Sequence, residues 1–143
     1  MTVDLLDMMR NRSDRTILKT LGIEIDVAEP DIVRLSMQVD ERHHQYTGPL
    51  HGGVSVVLAE TAASIGAAIN TDLSRYTPVG VEINANHLRS VTTGRITAEA
   101  RPVYKGRQMT VWAVEIRDER ERLVCVSRCT LALKPGSALA PEA

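Results

Sequence analysis

The sequence predicts an α+β fold in which an antiparallel sheet wraps around one long central helix. Three observations carry that expectation. An apolar segment from Val54 to Asn70 holds a single acid, Glu60, and no proline. Val54, Val57, Leu58, Ala62 and Ile65 recur there at helical spacing while alanines fill the remaining faces, so it reads as one helix of about five turns, buried nearly all round. Two alternating segments precede it and four follow, the pattern of consecutive antiparallel strands.

Taken in order, residues Val3 to Leu21 place Leu5, Leu6, Met9, Ile17, Leu18 and Leu21 among charges, which predicts helical turns on the surface, ended by Gly22. Ile23, Ile25 and Val27 alternate with polar residues, Glu29-Pro30-Asp31 turns the chain, and Val33, Leu35, Met37 and Val39 alternate again. This is a hairpin by period and punctuation. Asp40 to Leu50 is a polar connection, and Asn70 to Pro78 a second one. Strands are expected over Val79 to His87, Gly94 to Val103, Gln108 to Arg117 and Leu123 to Leu133. From Pro135 onward Gly, Ala and Pro follow without pattern, which predicts a frayed tail. The organisation is thus a helical segment over 1–21, one domain over 22–134 and a tail over 135–143.

At 143 residues the chain is long enough for one domain with a real core and too short for two. A net charge of −1 and only four aromatic residues, none of them Phe, argue against nucleic acid as a partner. The apolar segment falls short of a comfortable membrane span, and no secretory signal opens the chain. Cys125 and Cys129 lie in an apolar run without further ligand types, as reduced thiols of a cytoplasmic protein do. His43, His44, His51 and His87 form no helical pair and have no Cys-x-x-Cys companion, so no metal site is expected. Nucleophile-elbow, phosphate-loop and dinucleotide fingerprints are all missing from the sequence.

A carboxylate inside an apolar helix needs a reason, because an unpaired charge out of water costs several kcal/mol or neutralises. Glu60 is therefore the first catalytic candidate, against the alternative that it points outward or pairs with an arginine. Ser64, one turn along the same face, is placed to orient Glu60 or a water, or else bonds back to its own helix. Gly52 and Gly53 form the second candidate: a first turn with unpaired N–H groups suits an anion or a developing oxyanion. His51 abuts that turn and either shapes it or polarises a carbonyl. Eight residues separate Gly52 from Glu60, roughly 12 Å along one helix. One small reacting group cannot touch both, so a shared reaction requires a second copy of the chain with its helix antiparallel across a two-fold axis. A homodimer with two composite sites follows.

His87 ends a strand in Asn84-Ala-Asn86-His87-Leu-Arg89-Ser90, where the sheet edge turns polar and basic; its plain alternative is a satisfied strand-end residue. Arg89, Ser90, Arg101, Lys105 and Arg107 gather around strand ends and the Tyr104-Lys105-Gly106-Arg107 turn. Cations beside a glycine suit a phosphate-bearing ligand, with solvated turn charges as the alternative.

The run His51-Gly-Gly-Val-Ser-Val-Val-Leu-Ala-Glu60-Thr, with Val79-Gly-Val-Glu-Ile-Asn-Ala-Asn-His87-Leu-Arg-Ser90, closely resembles hot-dog-fold thioesterases of the PaaI-like group. The branch it is most similar to comprises 1,4-dihydroxy-2-naphthoyl-CoA hydrolases and enterobactin-proofreading thioesterases. The likeness runs from about Gly22 to Leu133. It implies a hot-dog fold, dimers with interfacial sites that pair into homotetramers, and hydrolysis of an acyl-CoA or acyl-carrier-protein thioester bearing an aromatic or bulky acyl group. No separate cofactor is implied, coenzyme A being part of the substrate. Glu60 matches the family's nucleophile or general base, and Gly52 the N–H that polarises the thioester carbonyl. Gln45, His51 and Ser64 match residues that orient the carbonyl and the water. Gly80, His87, Arg89 and Ser90, with Tyr104, Lys105, Gly106, Arg107, Gln108 and Met109, match segments lining the acyl and CoA grooves. Tyr46-Thr47 and Thr61-Ala62-Ala63 depart from relatives, which leaves the acyl group open. Two rivals stand beside this reading: a hot-dog enoyl-CoA hydratase, and a non-catalytic acyl-CoA-binding protein.

Overall fold

Gly22 delivers the chain into the sheet. Thr16 caps helix α2 (Ile17–Leu21) by accepting the Leu18 N–H at 3.3 Å, and Gly22 closes it in the left-handed region, φ 70°, with its N–H on Lys19 O at 3.2 Å. Before it runs α1 (Leu5–Ser13). The computed structural model describes residues 5–139, so the outer ends of the expected helical segment and tail lie outside the described residues.

The hairpin is β1 (Ile23–Glu29) and β2 (Ile32–Val39), turning at Pro30-Asp31 with Glu29 opposite Ile32. A loop then leads to the central helix α3 (Gly52–Ile69), followed by β3 (Tyr76–His87), β4 (Gly94–Lys105), β5 (Met109–Arg117) and β6 (Leu123–Pro135). All pairings are antiparallel, in the order β1-β2-β4-β5-β6-β3, and α3 touches every strand. This is the hot-dog arrangement the sequence predicts.

The core fills the gap between helix and sheet with Leu35, Met37, Leu58, Ile96, Trp112, Ile116 and Leu131, all at most 1% exposed. Helix and sheet meet most closely at Gly66, where a Cβ would stand 2.5 Å from the Trp112 ring. The indole N–H donates to Thr110 Oγ1 at 2.8 Å, and that hydroxyl donates to Tyr104 O at 3.0 Å, so the buried polar atoms there are satisfied.

Four expectations need correction. Burial of α3 is one-sided: Val54, Val56, Val57, Glu60, Thr61, Ser64 and Ala68 stay half-buried along one face, because a single sheet covers only the other. By length and composition the helix would also pass for a membrane span, which the sequence reading denied; in this fold it lies against its own sheet. Strand β3 starts at Tyr76 and absorbs part of the expected polar link. Pro78 sits inside it without harm because β3 is an edge strand, where a missing N–H costs no ladder bond. The tail is tied as far as the description reaches: Pro135 pairs with Tyr76, Gly136 N–H donates to Arg75 O at 2.9 Å and Ala138 N–H to Leu73 O at 2.9 Å.

Candidate active site

Glu60 lies midway along the half-exposed face of α3, with its carboxylate against Gly80, whose Cβ would stand 2.7 Å from Oε1. The edge strand bulges there, between Gly80 and Glu82, and bulges commonly re-aim strands beside functional groups. Among the described residues no cation or hydrogen-bond donor partners Glu60, so the ion-pair alternative is not what the chain builds. It opens instead on a cavity of about 480 Å³ whose walls include Met8, Met9, Val57, Thr61, Ser64 and Ile65. Ser64 shares that wall, and among the described residues its hydroxyl has no hydrogen bond, not even to its own helix. The carboxylate's field also reaches Cys129, whose thiol is pushed up to about 11 by burial first and by the charges of Glu60 and Glu82 next. Cys125, equally buried, is raised by burial.

The tip of α3 is a different environment. His51 is the helix cap, its Nδ1 accepting the Gly53 N–H at 2.9 Å, while its own N–H donates to His43 O at 2.8 Å. That use of the ring shapes the turn, and it makes Nε2 the protonated nitrogen of the neutral imidazole. Val54 N–H donates to His51 O at 2.9 Å, so among the described residues Gly52 N–H is the first-turn donor without an acceptor. A second cavity of about 370 Å³ opens beside it, lined by Gln45, Gly52, Ser55, His87, Arg89 and Ser90 among others. His87 belongs to the tip rather than to a bare strand end: its Nε2 stands 2.8 Å from where a Gly52 Cβ would be. Gln45 anchors a turn through its backbone, receiving the Gly48 N–H at 2.9 Å and donating to Pro49 O at 2.8 Å. Its side-chain amide is left for the cavity.

One protomer therefore separates the expected catalytic residues into two cavities, and the basic residues divide as well. Lys105 is paired with Asp31 at 2.6 Å and Arg101 with Glu99 at 2.8 Å, which corrects the expectation of one cationic cluster. Among the described residues Arg89 and Arg107 have no anionic partner; Arg89 is at the helix tip, Arg107 in a third cavity with Tyr104, Gln108 and Met109. Gly106 lies under the Tyr104 ring, where a Cβ would meet Cε1 at 2.5 Å.

Two residues escaped the sequence reading. His43 is fully buried, its Nδ1 accepting the Asp40 N–H at 3.0 Å and its Nε2 donating to Leu21 O at 2.8 Å, which bolts the active-site loop to α2. Ser55 is 1% exposed and lines the tip cavity. Its signal was legible as a hydroxyl one turn after Gly52, on the same helical face.

Residues 47–125, over half the chain, match the thioesterase superfamily. The chain belongs to that family. This thioesterase is 49% identical over 116 residues to a 1,4-dihydroxy-2-naphthoyl-CoA hydrolase of Listeria monocytogenes, covering 81% of the chain and 94% of the relative. A solved thioesterase of Haemophilus influenzae superposes with a TM-score of 0.86 at 40% identity, covering 95% of this chain and 94% of that one. Two solved structures of a Staphylococcus aureus relative, 41% and 40% identical, superpose with TM-scores of 0.82 and 0.81. They cover 84% and 83% of this chain and 99% and 98% of theirs; one has a glutamate and the other a glutamine replaced by alanine. The thioesterase described here is thus a thioester hydrolase with the hot-dog fold.

Proposed function

We propose that this enzyme hydrolyses the thioester of an aromatic or bulky acyl-CoA at a site shared between two copies of the chain. The observation that carries the reading is the division just described: an acid without a partner among the described residues opens on an apolar cavity, while a helix-tip N–H likewise without one opens on a separate, polar one. Antiparallel apposition of two α3 helices brings the tip of one protomer to the middle of the other. The half-exposed apolar face of α3 and the edge strand β3, with Val79 and Val81 37% and 62% exposed, supply a surface for that apposition. Pairing of dimers into a tetramer remains part of the same proposal.

In the proposed reaction the thioester carbonyl oxygen accepts the Gly52 N–H of one protomer. A water held by Glu60 and Ser64 of the other adds its oxygen to the carbonyl carbon and passes a proton to the Glu60 carboxylate. Negative charge gathers on the former carbonyl oxygen, where an amide already aimed at it is worth more than in water. The C–S bond then breaks, the coenzyme A thiolate leaves with the proton returned by Glu60, and the carboxylic acid is released. Arg89, Ser90 and Arg107 are assigned to the phosphate-bearing part of the substrate. An apolar cavity of about 480 Å³ beside Glu60 suits an aromatic acyl group, and the Listeria monocytogenes relative is named for one. In the Staphylococcus aureus relative the replaced glutamine and glutamate are fifteen residues apart, as are Gln45 and Glu60 here. Buried free thiols accord with a reducing, cytoplasmic setting.

Subunit complementation tests the shared site. Glu60→Gln removes the acid, and Gly52→Pro removes the N–H at a helix position that tolerates proline, its ring displacing the His87 imidazole. Each variant alone is expected to be nearly inactive on benzoyl-CoA. Mixed and allowed to exchange subunits, they regain about a quarter of wild-type turnover, since half the dimers are mixed and each keeps one intact site. No recovery despite exchange verified by mass spectrometry refutes the composite site.

A further inference from the structure

We infer that Ser55 is a second hydrogen-bond donor to the thioester carbonyl, acting beside the Gly52 N–H. The inference rests on the proposed thioester site and extends it to a residue outside the set carried over from the family.

Three observations combine. Ser55 is 1% exposed, yet it forms part of the wall of the helix-tip cavity. Among the described residues its hydroxyl has no hydrogen-bond partner, including the carbonyl one turn back at His51, which is the usual acceptor for a helical serine. Among the described residues no buried side-chain oxygen or nitrogen lacks a partner, so the unpaired Ser55 oxygen is one that the cavity reaches, where a bond to water or ligand offsets the cost of leaving bulk solvent. Here the cavity is the one direction from which a partner can reach it.

Helical geometry sets where that partner would sit. Side chains on a helix tilt toward its N-terminus, and positions i and i+3 share a face, so the Ser55 hydroxyl overlies the turn that begins at Gly52. His51 consumes the Gly53 N–H and the backbone consumes the Val54 N–H. Gly52 and Ser55 are consequently the donors left on that face, and an oxygen between them receives two hydrogen bonds. His87 closes one side against the Gly52 Cα. The ligand this pair takes is a carbonyl oxygen acquiring negative charge, since both groups donate and the helix end adds its positive dipole.

The test uses the full-length enzyme with Ser55→Ala and the near-isosteric Ser55→Cys, a weaker donor. On benzoyl-CoA, Ser55→Ala is expected to lower kcat about ten- to a hundredfold with KM within a factor of about two, and Ser55→Cys to fall between. A ketone analogue of benzoyl-CoA with methylene in place of sulfur and carbon-13 at the carbonyl gives a signature that a packing role would not move. Its carbonyl stretch when bound shifts to higher frequency in Ser55→Ala, while affinity for free coenzyme A stays unchanged. Unaltered kcat and carbonyl frequency in Ser55→Ala overturn the assignment. So does equal activity of the Ala and Cys variants, a comparison that uses Ser55→Gly in place of Ala if the Ala variant does not fold. Glu60→Gln, measured in parallel, separates the two levels: if it keeps full activity the thioester site itself is misplaced, whereas if it is inactive and Ser55→Ala is normal, only Ser55 loses its role.

Discussion

The tip and the middle of α3 are built from opposite materials. Around Gly52 the chain offers donors: a free N–H, the Gln45 amide, Arg89, and hydroxyls at Ser55 and Ser90. Around Glu60 it offers a carboxylate in a mostly apolar wall that also carries Arg12 and hydroxyls such as Ser64. Hydrolysis of a thioester needs a donor for the oxygen and an acceptor for the water proton, and of these two cavities the one at Glu60 is lined by a carboxylate and the one at the tip is not. In the proposed dimer this difference makes α3 a ruler. It would hold two incomplete half-sites at a fixed spacing, so that two antiparallel copies would complete both at once.

The largest expected effect falls on the middle. Glu60→Gln keeps the shape and removes the proposed base, and is expected to lower kcat by about two orders of magnitude with little change in KM. Steady-state hydrolysis of benzoyl-CoA reads this directly, and near-normal turnover would end the division of labour described above. Next is the ruler itself. Gly66→Ala puts a methyl 2.5 Å from the Trp112 ring, and overpacking of that kind costs about 1–3 kcal/mol. Denaturant unfolding should show that loss while kcat per folded molecule holds, provided the spacing survives. A stable Gly66→Ala enzyme with no shift would mean that helix and sheet separate freely.

The smallest effect sharpens the tip. Asp40 starts the loop that carries Gln45 and His51, and the hydrogen bond from the Arg42 side chain, then from its backbone N–H, holds its carboxyl at about 2 against an ordinary 3.8. A carboxyl depressed on folding stabilises the protein above its unfolded pKa, and that contribution fades as pH falls through the folded one. Thermal melts between about pH 5 and pH 2 should therefore fall slightly more steeply for the wild type than for Asp40→Asn, mostly below about pH 4. Parallel slopes would show that the loop does not depend on this carboxylate.

Much of this was legible in the sequence because it rests on local pattern. The hairpin, the stop at Gly22, the central helix and the succession of strands along the chain all follow from period and punctuation. Strand ends were less legible: Pro78 reads as a breaker unless one knows that β3 lies at an edge. Long-range partners were not legible at all. Lys105 looks free until the fold brings it 2.6 Å from Asp31, and His43 looks like one of four equivalent histidines until Leu21 O and Asp40 N–H close around it. One-sided burial of α3 also escaped, since apolar residues on both faces look alike until the sheet chooses one. For Glu60 the sequence announced an anomaly, and the fold opens it on a cavity instead of pairing it among the described residues.

An enzyme that cleaves thioesters releases a free thiol at every turnover, beside cysteines of its own. With the Cys129 thiol raised to about 11, the reactive thiolate is scarce there at neutral pH. Burial and the charges of Glu60 and Glu82 together keep that sulfur a poor nucleophile, so an enzyme that liberates thiols carries one of its own that is slow to exchange with them.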